Sequence, residues 1–134
     1  MKKSLLIGLL IFVFLSNNLN AQHFIGIDKE KTKELAKEAG FYPDDVTKNQ
    51  KFNYLKFVNS AGTKTFIVFF SDEDISVHTR TVCDYSEYDF IIRDFDKEYK
   101  KKDKFLWEYK VDKDAFNVTL EEEEWYFIVR VKKK

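Results

Sequence analysis

Apolar and polar positions alternate with a period of two along much of the chain after residue 51, which is the pattern of β-strands. Residues 52–59, 64–70 and 74–82 form three such runs, joined by short polar segments. Residues 66–70 are apolar at every position, which is typical of a central strand covered on both faces. Because the connecting segments are short, the three runs predict an antiparallel meander.

The period of the pattern changes after residue 85. Ser86 and Asp89 resemble a capping box, and a group of lysines follows at the end of the segment, where the helix dipole favours cations. The pattern therefore predicts a helix that packs on the sheet. Its apolar residues recur with the spacing of one helical face and are Tyr88, Ile91, Ile92, Phe95 and Tyr99.

An earlier helix is predicted over residues 29–39. Asp28 can cap its start, and Gly40 follows its end in the position that glycine favours. Its apolar stripe is thin, so we expect it to lie on the surface of the domain. Residues 41–51 contain Pro43 and several polar side chains, and they predict a connecting loop.

Three further strands are predicted over residues 105–111, 116–120 and 125–132, which gives the order α-βββ-α-βββ. We expect one α+β domain with a mostly antiparallel, twisted sheet and the second helix packed on one face. This order resembles the α-βββ-α-ββ-α plan of the type III secretion chaperone and YbjN-like fold, except that the present chain ends on a strand. The resemblance concerns topology alone and implies no function.

The first 21 residues have the three parts of an export signal. Lys2 and Lys3 precede an apolar run over residues 5–15, and a polar stretch then ends at Ala21. The apolar run is shorter than the roughly 18 residues that a membrane span needs. We expect cleavage after Ala21, since the ending L-N-A before Gln22 resembles the export signals of some Gram-negative bacteria. Cleavage there leaves residues 22–134 as a soluble periplasmic or secreted domain. Since Gln22 follows the cut instead of cysteine, a lipoprotein is not expected.

Composition limits the function of the remaining chain. Loss of the two signal lysines leaves two more acidic than basic residues, so a nucleic-acid binder is not expected. The sequence holds 14 Phe, 7 Tyr and 2 Trp. Burying such a set contributes on the order of 100 kcal/mol, whereas ordering about 100 residues costs roughly 100–200 kcal/mol. The core therefore needs most of the rings, and the candidates for surface rings are Tyr54, Phe90 and Tyr126.

Few residues point to catalysis or metal binding. Cys83 is the only cysteine, so it forms no intramolecular disulfide, and we expect a buried inert thiol; an intermolecular disulfide or a reactive thiol is the alternative. A catalytic pair of Cys83 and His78 is not expected, because His78 would project from the opposite face of the same strand. We expect no copper-binding role for His23. Residues 72–74 are expected to form a solvated turn instead of a calcium loop. No catalytic motif occurs, and we expect no cofactor or metal.

Charge segregation is the remaining feature. Runs of like charge are typical of solvated surfaces, and their functional interpretation is a docking surface that steers a partner. The sequence thus favours a non-enzymatic protein that binds another protein, such as an inhibitor, an immunity-type protein or an accessory subunit. The alternative is a small-ligand or glycan-binding module that uses aromatic residues of the sheet. The candidate interaction surface comprises Lys97, Lys100, Lys101, Lys102, Lys104, Glu121, Glu122, Glu123, Glu124, Trp125 and Tyr126.

Overall fold

The computed structural model describes residues 24–134. The predicted signal peptide and His23 lie outside the described residues. Within the described range there is no helix with the length and apolar character to cross a membrane.

The described chain forms two α-helices and eight β-strands. The helices are α1 (Lys29–Glu38) and α2 (Tyr88–Glu98). The strands are β1 (Phe41–Lys48), β2 (Asn53–Asn59), β3 (Lys64–Phe70), β4 (Ser76–Asp84), β5 (Lys100–Asp103), β6 (Leu106–Val111), β7 (Asp114–Glu122) and β8 (Tyr126–Lys133). All neighbouring strands are antiparallel, and the single sheet has the order β1-β2-β3-β4-β8-β7-β6-β5.

The two halves of the domain repeat one topology, a helix followed by a four-stranded meander. β3 and β7 begin at Lys64 and Asp114, and β4 and β8 begin at Ser76 and Tyr126, so both pairs have the same offset in sequence. The strand order is symmetric about the antiparallel β4–β8 pair. The halves are therefore related by an approximate two-fold rotation whose axis passes between β4 and β8.

Both helices pack against the same face of the sheet. α1 contributes Ala36 to a buried cluster with Phe66, and α2 contributes Phe95 to a second cluster with Val129. Phe66 is paired with Thr81, and Thr81 is paired with Val129. Directly paired residues project to the same side of a sheet. The two clusters thus lie on one side, which we call the helix-covered face.

Local sequence explains where the helices begin and end. The Asp28 carboxylate accepts a hydrogen bond from the backbone N–H of Lys31 at 2.8 Å, and Gly40 follows the helix with a φ of +84°. The predicted first helix is confirmed. The second is also confirmed, but Ser86 does not cap it. A 3₁₀ turn over Tyr85–Glu87 precedes α2, and Asp84 accepts the hydrogen bond from the Ser86 N–H.

The α+β class and the antiparallel sheet are confirmed, but the predicted order α-βββ-α-βββ is wrong. The structure has the order α-ββββ-α-ββββ, because the predicted loop at residues 41–51 contains β1 and the lysines after α2 form β5. Both missed strands lie at the edges of the sheet. β1 has an irregular register between Pro43 and Asp45, and β5 has the sequence KKKD. Proline, bulges and lysines are features that protect edge strands from further pairing.

Candidate functional site

One face of the sheet is covered by neither described helix, and we call it the open face. The register identifies its central residues, since Arg80 pairs with Arg130, His78 with Lys132 and Val82 with Ile128. These residues alternate with the core residues of the same strands. The open face comprises Tyr54, Lys56, Ile67, Phe69, His78, Arg80, Val82, Ile128, Arg130 and Lys132.

Three rings form a row across neighbouring strands of the open face, which we call the ring row. The Phe69 ring stacks on the His78 imidazole with centroids 4.3 Å apart and planes inclined by 16°. Tyr54 lies on the other side of Phe69, at a centroid distance of 5.9 Å. The Arg80 guanidinium carbon lies 5.4 Å from the centre of the Phe69 ring. The middle ring of the ring row therefore lies beside a cation, at a distance that allows a cation–π interaction.

Three cations lie together where the two halves of the sheet meet, and we call Arg80, Arg130 and Lys132 the cationic stripe. Arg80 and Arg130 are directly opposite one another on β4 and β8. Like charges in this position destabilise a sheet. Arg130 binds the Glu121 carboxylate. Within residues 24–134 the buried Nε of Arg80 has no hydrogen-bond partner.

The cationic stripe changes the titration of its neighbours. Partial burial lowers the pKa of His78, and the positive charges of Arg80, Lys132 and Arg130 lower it further. The His78 imidazole is therefore neutral near pH 7. The hydrogen bond from Arg130 lowers the pKa of Glu121. The stripe thus consists of three fixed positive charges with one bound carboxylate beside a neutral ring.

Other charges near the stripe are paired locally. Glu108 is nearly buried and binds the Lys134 ammonium at 3.2 Å, while the Lys102 ammonium lies 3.8 Å from it. The Lys56 ammonium binds Asp44 at 3.3 Å. These pairs flank the cationic stripe on the same face, one toward each edge of the sheet. The stripe therefore lies between two places on the open face where carboxylates bind lysine ammonium groups.

The chain was compared with known proteins by family, by sequence and by structure. No family model, curated protein or solved structure matches it. The chemistry of the open face is therefore the basis for inferring a function.

The structure spreads the predicted lysine cluster along one sheet edge. Lys97 lies in the last turn of α2, Lys100–Lys102 belong to β5, and Lys104 lies in the turn that follows. The Lys101 ammonium lies 3.6 Å from Asp96 and 6.0 Å from the centre of the Trp107 ring. These lysines thus follow the β5 edge instead of forming a compact patch.

The predicted acidic cluster lies at the β7–β8 turn and is separated from the β5 edge by β6. Trp125 is 78% exposed in this turn, and the Tyr85 hydroxyl donates a hydrogen bond to the carbonyl of Glu123. Glu121 binds the cationic stripe, and its proximity raises the pKa of Glu123. Tyr126 pairs with Asp84 at the end of the open face. Of the eleven predicted residues, Glu121 lies beside the cationic stripe and Tyr126 at the end of the open face. Lys100 pairs with Glu108, which lies on the same side of the sheet as Lys132, and the Lys102 ammonium lies near the Glu108 carboxylate, so both lysines lie at the β5 margin of this face.

The three candidate surface rings have different positions. Tyr54 belongs to the ring row on the open face, and Tyr126 lies at the end of the same face. Phe90 is 54% exposed on α2. The alternation of polar and apolar positions therefore identified two rings of the open face, while Phe90 lies on the side of the sheet that carries the helices.

Cys83 and His78 lie on opposite faces of β4. Cys83 is 1% exposed on the helix-covered face, and burial raises the pKa of its thiol to about 12. The prediction of a buried thiol is confirmed.

In the acidic turn, Asp74 binds the ammonium groups of Lys29 and Lys48, and Asn53 donates a hydrogen bond to it. No group of three or more potential metal ligands occurs within residues 24–134.

Sequence reasoning missed the residues that define the centre of the open face. The centre consists of Arg80, Arg130 and Lys132, each at a polar position of an alternating strand. The alternation within β4 and within β8 places each of them on the polar face of its own strand. Their proximity depends on the β4–β8 pairing. That pairing joins strands distant in sequence, and periodicity within one strand carries no information about it.

Proposed function

We propose that this protein is a small exported, non-enzymatic interaction protein that binds a partner protein through the open face. The observation that carries the proposal is the asymmetry of the sheet, because both described helices pack against one face and neither of them covers the other. An inhibitor, an immunity-type protein or an accessory subunit of a larger assembly fits this role, in the periplasm or outside the cell.

The residue types of the open face support protein binding. Arginine and aromatic residues are enriched at protein interfaces, and hot spots are richest in Trp, Tyr and Arg. Half-buried apolar side chains, including Ile67 and Val82, lie beside the two arginines. The edge strands favour this face further, since the features of β1 and β5 disfavour addition of a partner strand. The broad face is thus the better binding surface.

The test is capture of a partner by the purified protein from an extract of the cell envelope at low salt, where charged contacts are strongest. Phe69→Ala removes a ring from the centre of the open face. Phe90→Ala is the matched control, because it removes an exposed ring from α2. We expect the first change to abolish capture and the second to leave it intact. If neither the native protein nor the control variant recovers a partner, the proposal is wrong.

A second function, binding of a small ligand or glycan, is favoured by one specific observation. The ring row places three rings on adjacent strands, and rings in such a row can contact the apolar faces of sugar rings. Calorimetric titration with a panel of oligosaccharides distinguishes the two functions. Saturable binding that is lost in Tyr54→Ala and retained in Tyr126→Ala supports the glycan function, and heat that is unchanged by both substitutions contradicts it.

A further inference from the structure

We propose that the cationic stripe binds carboxylate side chains presented by a short segment of the partner protein. This inference rests on the proposed function and specifies the chemistry of the partner. The open face supplies three cations on neighbouring positions of β4 and β8, of which Arg130 alone has a bonded carboxylate among the described residues.

The two arginines are arranged so that their charges repel. The structure places Arg80 directly opposite Arg130 on the central strand pair. Repulsion between adjacent guanidinium groups is unfavourable, and in a partly desolvated site it is stronger than in water. An incoming carboxylate near both arginines adds two attractions, which offset this repulsion. Such a group therefore binds where the fold itself leaves positive charge uncompensated.

Arg80 has hydrogen-bonding capacity that no described residue uses. Its Nε is buried without a partner among residues 24–134, and its guanidinium lies over the Phe69 ring. A guanidinium held against a ring keeps its planar set of donors in a defined orientation. Carboxylates match that set with two parallel hydrogen bonds. Arg80 is thus oriented for a carboxylate before a partner arrives.

The carboxylates around the cationic stripe exclude a long polyanion. Glu121 lies at one end of the cationic stripe, and Glu108 with its two lysines lies to one side. A nucleic acid needs a continuous basic track along its backbone, and it would meet these carboxylates beyond the three cations. A protein segment can place one or two carboxylates at the centre and apolar groups around them. The dimensions of the stripe therefore favour a protein ligand.

The charge of the stripe excludes a second copy of this chain bound through the same face. A symmetric dimer would place the cationic stripe against itself, because a two-fold interface pairs each patch with its own copy. Three cations facing three cations with one bonded carboxylate on each side are repulsive. The apolar side chains beside the stripe, such as Ile67 and Val82, instead provide a frame that excludes water around an acidic segment from another protein.

The experiment is an NMR titration of the protein with end-blocked hexaglutamate, at about the ionic strength of the cell. Hexaglutamine and hexathymidylate are the comparison ligands. We expect saturable shifts at the Arg80 and Arg130 side-chain N–H groups with hexaglutamate and none with hexaglutamine. The pKa of His78 should rise when the carboxylates bind, because they offset the cations beside it. Equal or tighter binding of hexathymidylate overturns the assignment to a protein ligand.

Variants localise the effect. Arg80→Gln combined with Arg130→Gln should weaken hexaglutamate binding about tenfold or more, because each arginine provides charged hydrogen bonds. Lys33→Gln combined with Lys37→Gln is the matched control, since it removes the same charge from α1 on the other side of the sheet. Equal weakening in both double variants would show that only net charge matters and would overturn the inference.

Capture from the cell-envelope extract separates this inference from the proposed function. Capture that requires Phe69 but is unchanged by loss of both arginines contradicts the carboxylate site and leaves protein binding intact. Capture that fails for the native protein contradicts the proposed function, and the hexaglutamate titration then decides by itself whether the stripe binds carboxylates.

Discussion

Arg80 and Arg130 face each other across the β4–β8 pair, at the seam between the two halves of the domain. The sequence offset that relates the first residue of β4, Ser76, to that of β8, Tyr126, also relates these two arginines. They therefore occupy equivalent positions in the two halves and meet at the approximate two-fold axis. Symmetry brings two like charges together at this position, and neither strand would show this alone.

The first prediction concerns the energy of this contact. In a double-mutant cycle with Arg80→Gln and Arg130→Gln, the coupling energy should be repulsive by about 0.2–1 kcal/mol, the range for cross-strand pairs. Each single change also alters other contacts, such as the Arg130–Glu121 ion pair, and the cycle cancels those that are the same with and without the other arginine. Urea unfolding of the four proteins measures the coupling. The repulsive coupling energy should decrease as salt is added, and an attractive coupling energy would contradict this prediction.

The second prediction is the pH dependence set by His78. Burial and the neighbouring cations lower its pKa in the folded protein below the value of about 6.5 in the unfolded chain. As the pH falls below about 6.5, the unfolded chain therefore binds a proton first, and the free energy of unfolding decreases. His78→Gln should flatten this part of the profile. NMR titration of the imidazole should show a higher pKa in Arg80→Gln and no change in Lys33→Gln.

The third prediction concerns the attachment of α2 to the sheet. The indole N–H of the fully buried Trp107 donates a hydrogen bond to the Asp96 carboxylate at 2.9 Å. Asp96→Ala leaves this donor without its partner and should reduce the free energy of unfolding by about 1–3 kcal/mol. Asp96→Asn keeps an acceptor oxygen and should cost less. Thermal or urea unfolding measures both, and equal losses would indicate that the hydrogen bond contributes little.

Periodicity alone predicted most of this fold. The core residues of β3 and the apolar face of α2 follow from patterns that burial imposes on every strand or helix. β1 and β5 were missed for a shared reason. As edge strands they bury few side chains, so Pro43 and the three lysines of β5 are tolerated and hide the strand pattern.

The open face was predictable only in part. Tyr54 and Tyr126 were identified because each occupies the polar parity of its own strand. The lysine run after α2 was prominent in the sequence but is spread along an edge. The arginine pair, by contrast, consists of two isolated residues that long-range strand pairing brings together. A charge run is visible locally, whereas a cluster formed by tertiary pairing is not.

The fourth prediction concerns a buried hydroxyl. Tyr109 stacks between Tyr99 and Phe116, and its hydroxyl is buried without a hydrogen-bond partner in the described part of the chain. Tyr109→Phe keeps the ring contacts and removes the unsatisfied group. We expect the free energy of unfolding to stay the same or rise by up to about 1 kcal/mol. Tyr126→Phe, at the exposed end of the open face, is the control and should have no effect. A loss of stability in Tyr109→Phe would contradict this account.

The fifth prediction concerns the reactivity of Cys83. The thiol is 1% exposed on the helix-covered face, and burial raises its pKa from about 9 to about 12. The thiolate is the reactive form, so a thiol reagent at neutral pH should modify Cys83 only when the domain opens. The rate of labelling should follow the rate of unfolding and rise steeply with urea. Because the unfolded thiol ionises first as the pH rises above about 9, the protein should also lose stability between about pH 9 and 12, and Cys83→Ala should remove that loss. Rapid labelling under native conditions would instead show that the thiol is accessible and would support the reactive or intermolecular role of Cys83.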